Sequence, residues 1–97
     1  MSITHITQFH AAPGQESTLE GLLIEGRSRM RAADGCESFD LYRDQDDDRA
    51  FTFVQGWVST EAHDAAFAER IVQSGHLQKV LATLAQPLVQ RTYVTVP

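Results

Sequence analysis

The chain has 97 residues and a formal net charge of −5, and residues 1–97 make one domain, since so short a chain cannot divide into two self-sufficient cores. An apolar share of 42% and a charged share of 22% are those of an ordinary soluble globular protein. The eight Lys and Arg residues are scattered, so a phosphate backbone would be repelled and nucleic-acid binding is disfavoured.

The N-terminal "MSITHITQFH" has no basic region followed by a hydrophobic stretch, and no signal peptide is expected. Ile3 to His10 is rich in β-branched and aromatic residues and ends at the turn signal "AAPG", which predicts strand one. From Gln15 the period changes: Leu19, Leu22, Leu23, Met30 and Ala33 fall on one helical stripe. Glu16 and Glu20 lie early in that helix and Arg27, Arg29 and Arg31 late, as the helix dipole favours. Asp34-Gly35 stops it.

Cys36 to Arg43 alternates as a strand with two distinct faces, and "AFTFVQGW", Ala50 to Trp57, has the strongest strand preferences in the chain. The two read as a hairpin across the polar "DQDDD". Ser59 or Thr60 can cap the next helix, which runs to about Val72. Ser74-Gly75 breaks it, and "HLQKVLATL" begins a further helix that Pro87 terminates. Leu88 to Val96 alternates as a last strand. No apolar run approaches the roughly 20 residues that span a bilayer, and the single Cys36 cannot form an internal disulfide. The simplest location is the cytoplasm, with no membrane partner.

The order β-α-β-β-α-α-β is that of the split-βαβ, ferredoxin-like α+β sandwich, with a four-stranded antiparallel sheet covered by helices on one face. The other face has mixed apolar character, which predicts a homodimer packed through sheet faces as a dimeric α/β barrel.

These residues resemble the antibiotic biosynthesis monooxygenase (ABM) domain family over nearly the whole chain. The pieces that carry the resemblance are Pro13-Gly14, Gly35-Cys36, Leu41-Tyr42-Arg43, Trp57 with Ser59 and Ala62 after it, and His76 before Leu77. The family forms dimeric α+β barrels and includes cofactor-independent oxygenases of polycyclic phenols and quinols, relatives that degrade haem, and members with no known reaction. Many members carry a histidine about nine residues after the tryptophan, where this chain has Ala66. The haem-degrading branch uses an asparagine on strand one and a second tryptophan in helix two; the matching places here are Thr7 and Ala66, so the resemblance does not extend to haem.

Oxygenation without a cofactor needs a dry aromatic pocket, a proton acceptor and a hydrogen-bond donor for an oxyanion. Histidine is the natural acceptor near neutral pH, and the chain has His5, His10, His63 and His76. His76, near a helix N-terminus and beside an apolar stripe, is the leading catalytic candidate; its plain structural alternative is a buried imidazole bonded to backbone at the helix break. His5 shares a strand face with Ile3, Thr7 and Phe9, and lines the pocket if that face meets the helices. His63 and Phe67, spaced i, i+4, would form one wall, although an exposed His63 is the default expectation. Phe53, Gln55 and Trp57 share a strand face, Gln55 as a polar group among aromatics and Trp57 first of all as a core anchor.

Asp44, Asp46 and Asp48 resemble a calcium loop only superficially, because its required glycine is Arg49 and its terminal glutamate is Gln55. No metal site and no cofactor are expected. Three readings follow: a cofactor-independent monooxygenase of a hydroxylated aromatic, quinol or polyketide-like molecule; a non-oxidative cyclase or isomerase of the same architecture; or an accessory protein that binds a small aromatic ligand without chemistry.

Overall fold

A computed structural model describes residues 1–97. The elements are β1 (Ile3–His10), α1 (Glu16–Arg31), β2 (Cys36–Arg43), β3 (Ala50–Trp57), α2 (Thr60–Phe67), a π-helical turn (Ala68–Val72), α3 (His76–Leu81) and β4 (Val89–Tyr93). The strands form one antiparallel sheet in the order β2-β3-β1-β4. This is the expected α+β, ferredoxin-like arrangement, with the helices packed on one face.

Because strand side chains alternate between faces, the register sorts every strand residue. Toward the helices lie Ile3, His5, Thr7 and Phe9 of β1 and Phe51, Phe53, Gln55 and Trp57 of β3, all buried. Phe39 of β2 is buried with them. From α1, Leu19, Leu23 and Met30 close over this layer, and from the later helices Ala66, Ile71 and Val80. Each large aliphatic side chain buried in this way contributes about 1.5–3 kcal/mol.

Local signals account for most boundaries. The Ser59 hydroxyl accepts the Ala62 N–H at 3.1 Å, capping α2. Gly75, at φ 82, separates the π-helical turn from α3. The Ser74 hydroxyl bridges the break, donating to the Arg70 carbonyl at 2.8 Å and accepting the His76 N–H at 3.3 Å.

Two expectations shift. The helix begun at His76 ends at Leu81, well before Pro87. The chain turns there because Thr83 hydrogen-bonds back to Val80 through its hydroxyl (2.7 Å), while its carbonyl accepts the Ala12 N–H (2.8 Å). β4 covers only Val89–Tyr93 rather than Leu88 to Val96, because Tyr93 already pairs with Thr4 and β1 is almost exhausted. Asp40 lies 3.7 Å from Arg31 of its own chain. The aspartate-rich loop is a hydrogen-bonded turn: Asp44 accepts the Asp46 N–H, and Asp47 the Arg49 N–H.

Gly35 (φ 89) lies where α2 crosses the start of β2; a Cβ there would sit 2.7 Å from the Ala62 Cβ and 3.0 Å from Val58 Cγ2. A Cβ on Gly75 would meet nothing within 4 Å. Gly75→Ala should therefore cost only the left-handed backbone penalty, about 1–2 kcal/mol. Gly35→Ala should lose a further ~1–3 kcal/mol to overpacking. Urea unfolding of both variants checks the ranking, and equal losses would contradict the crowding argument.

Candidate functional site

Between the sheet and the three helices lies a cavity of about 310 Å³. Its floor consists of cross-strand rows. One row runs Phe39, Gln55, His5, Thr92, and the next runs Leu41, Phe53, Thr7, Gln90. The polar groups therefore collect on β1 and its two neighbours, while Phe39, Phe53 and Phe9 supply apolar floor. Leu22, Gly26 and Met30 form the α1 wall, and Leu77 and Val80 the α3 wall. Leu81 and Gln90 line the cavity and are exposed, which places its mouth between α3 and the uncovered edge strand β4.

His63, Phe67 and Ile71 form the third wall. An ordinary α-helix rotates residues four apart steadily off one face, whereas a π-helical turn takes more residues per turn. The turn after Phe67 thus helps keep Ile71 directed at the same cavity. His63 is 8% exposed, against the expectation of an exposed side chain. The reason is its neighbours: its ring lies 4.2 Å from that of His5, 5.5 Å from Trp57 edge-on, and 5.9 Å from Phe67 in a stacked arrangement.

The protonation geometry of this cluster follows from its partners. Asp64 Oδ1 lies 2.9 Å from His63 Nδ1. A carboxylate accepts only, so Nδ1 carries the hydrogen and the lone pair of a neutral imidazole is on Nε2. His63 Nε2 has no protein partner. His5 Nδ1 is 2.9 Å from the Thr92 hydroxyl. Burial lowers the pKa of His5, and the neighbouring His63 lowers it further; the amide oxygen of Gln90, as an acceptor for the ring N–H, and the charge of Asp64 act the other way. His5 is therefore neutral at neutral pH.

Trp57 is fully buried and does not line the cavity. Its indole N–H donates to Gln55 Oε1 at 2.8 Å. Since an indole N–H can only donate, the amide oxygen of Gln55 must face it, and the NH₂ group is the end left for the cavity. The tryptophan thus acts on the site through Gln55.

His76 borders the cavity with both nitrogens turned to α1. Nε2 donates to the Leu22 carbonyl at 2.8 Å. Nδ1 lies 2.7 Å from Glu25 Oε2, although the carboxylate sits off the axis of a ring N–H, so this is an electrostatic approach and not an aligned hydrogen bond. Gly26 makes the seat for the ring: a Cβ there would lie 3.3 Å from His76 Nε2. His76 is a latch between α3 and α1, and neither nitrogen offers a free lone pair to the cavity.

His5, Phe53, Gln55, His63, Phe67 and His76 all line this one cavity. Sequence reasoning missed Asp64, Gln90 and Thr92 beside them. Asp64 was visible as the neighbour of a histidine; Gln90 and Thr92 needed the β1–β4 register.

The chain is a ferredoxin-like α+β sandwich with an aromatic, histidine-bearing cavity under its helices. Residues 2–78 match the antibiotic biosynthesis monooxygenase family, and the chain belongs to that family. Its fold is similar to that of Rv0793 from Mycobacterium tuberculosis (TM-score 0.90, 24% identity, covering 100% of this chain and 97% of that one). It is also similar to SnoaB, a cofactor-independent oxygenase from Streptomyces nogalater (TM-score 0.84, 16% identity, 97% and 92% covered). PA3566 from Pseudomonas aeruginosa is a third (TM-score 0.82, 25% identity, 98% and 95% covered). No curated protein matches in sequence.

Because the folded pKa of His5 is lowered, its protonation opposes folding. The associated stability is present above the ordinary value of 6.5 and is lost as pH falls through the lower folded value. NMR titration of the ring protons should place His5 below 6.5, and His5→Gln should flatten the fall in thermal stability below about pH 6.5. A His5 titrating at or above its ordinary value would contradict the burial argument.

Proposed function

We propose that the protein is a cofactor-independent monooxygenase acting on a hydroxylated aromatic of two or three fused rings. The observation that carries the reading is the cavity with aromatic side chains on its floor and wall, in which the imidazoles of His5 and His63 and the amide of Gln55 are gathered at one place. A volume of about 310 Å³ is at the small end for ligand pockets, which suits a ring system of this size. SnoaB, a cofactor-independent oxygenase of the same fold, supports the reading by analogy.

The chemistry asks little of the protein beyond position and dryness. A phenol that is also the tautomer of a ring CH₂ ketone loses its proton to a base. The resulting anion passes one electron to O₂. Recombination of the two radicals forms a C–O bond, and loss of water from the hydroperoxide leaves a carbonyl. One oxygen atom ends in the product and the other in water, and the substrate CH₂ supplies both the hydrogens and the electrons. Gln55 NH₂ is the oxyanion donor in this scheme, and the apolar walls exclude water, which strengthens that hydrogen bond.

The purified protein should consume one O₂ per molecule of a naphthol- or anthrone-type substrate and form the ketone without added cofactor. A panel of such compounds in an oxygen electrode checks this. Product without oxygen uptake would instead favour the cyclase or isomerase reading, and binding without product the accessory one.

The working assembly in this proposal is a homodimer through the outer sheet face. Ile6 and Val54 pair at its centre, and Tyr42, Val89 and Tyr93 lie half-exposed around them. Light scattering at micromolar concentration should give a dimer, and Val54→Glu, which buries a charge in that face, should give the monomer. A monomeric wild type would remove this part of the proposal.

A further inference from the structure

We propose that His63, oriented by Asp64 and stacked on His5, is the group that takes the proton from the ligand's acidic hydroxyl. This deepens the function proposed above and rests on it. Three observations point to His63 over the other histidines. Its Nδ1 is bound to a carboxylate at 2.9 Å, which leaves the lone pair on Nε2. Nε2 has no protein partner, and the residue borders the cavity. Finally, two of the other three histidines are committed elsewhere: His76 Nε2 donates to Leu22 and its Nδ1 faces Glu25, and His10 is paired with Asp47 at 3.0 Å, outside this cavity.

His5 contributes by staying neutral. Two imidazoles 4.2 Å apart repel when both are charged, so a His5 cation would discourage proton uptake by His63. With His5 neutral, the only formal charge bound to His63 is the carboxylate of Asp64. The transfer is balanced. The ligand O–H bond breaks and an Nε2–H bond forms, so that a neutral pair becomes an imidazolium and an aryloxide. Asp64 faces the cation, and the NH₂ of Gln55, which pairs with His5 across the sheet, is available to the anion. Asp64 touches no ligand atom in this scheme and is a positioning residue.

The test needs no turnover. Para-nitrophenol and para-nitronaphthol absorb at longer wavelength as anions, so each reports its own ionisation when bound. In buffer below the probe's own pKa, wild type should bind it and shift the spectrum toward the anion. His63→Gln should bind with Kd changed less than about threefold yet lose the anion band at least about tenfold, the scale of a removed proton acceptor. Asp64→Asn changes an exposed residue and should leave Tm unaltered while weakening the band severalfold, which keeps the proposal testable if His63→Gln folds poorly. His76→Gln should keep the band.

Retention of the band in His63→Gln overturns the assignment, and its loss only in His76→Gln moves the role to His76. An unchanged band in Asp64→Asn overturns the positioning role. Binding with no anion band in wild type overturns the inference while leaving the cavity as a ligand site. No binding of any phenol overturns both.

Discussion

The imidazole rings of His5 and His63 lie 4.2 Å apart, and this contact joins sheet to helix through polar groups in a layer otherwise joined through apolar ones. Burying polar side chains is favourable only when each finds a partner. Three of them do here, each by a different route: Thr92 for His5, Asp64 for His63, and the Trp57 indole for Gln55. The requirement reaches far along the chain. Thr92 comes from the last strand and Asp64 from the second helix, so β4 must pair with β1 in its observed register and α2 must cross above β1. A one-residue slip of β4 would turn Thr92 to the outer face and orphan His5.

The same requirement explains the cavity. Side chains that stand in a row to satisfy one another cannot also interdigitate fully with the helices above. α1 cannot drop into the space because His76 already occupies the groove at Gly26, and the π-helical turn carries Ile71 around its edge rather than across it. The resulting space has polar groups at one part of its floor and aliphatic walls elsewhere. That asymmetry orients a ligand with one hydroxylated edge, and a purely apolar void of equal size would have no such preference.

Strands are the most legible part of the sequence. The alternation of Phe51, Phe53, Gln55 and Trp57 is enough to put four residues on one face, and the β1–β3 register sets His5 opposite Gln55 as that alternation allows. α1 is equally clear, since its stripe of Leu19, Leu23 and Met30 is the buried one. α2 is not. Its residues Ala62, Ala65, Ala66 and Phe67 distribute apolar groups around much of the helix, so no stripe distinguishes His63 as inward. The π-helical turn has no sequence signal of its own, and the end of β4 depends on where β1 begins rather than on the residues of Leu88 to Val96.

His76 shows why local reading gives a position but not a role. A helix start beside a leucine stripe correctly implies a buried imidazole. The direction of its nitrogens is decided by residues some 54 positions away: the Leu22 carbonyl takes Nε2, and Gly26, a poor helix former in an otherwise good helix, leaves room for the ring. A glycine at that position is itself a legible signal of close approach by another element. Ala66 then takes on a structural sense as well. It lies one turn beyond His63 on the same side of α2 and is buried, so an imidazole at 66 and the cluster at 63 would compete for neighbouring space. The small side chain at 66 is compatible with a helix whose polar contact to the sheet is made one turn earlier, through His63 and Asp64.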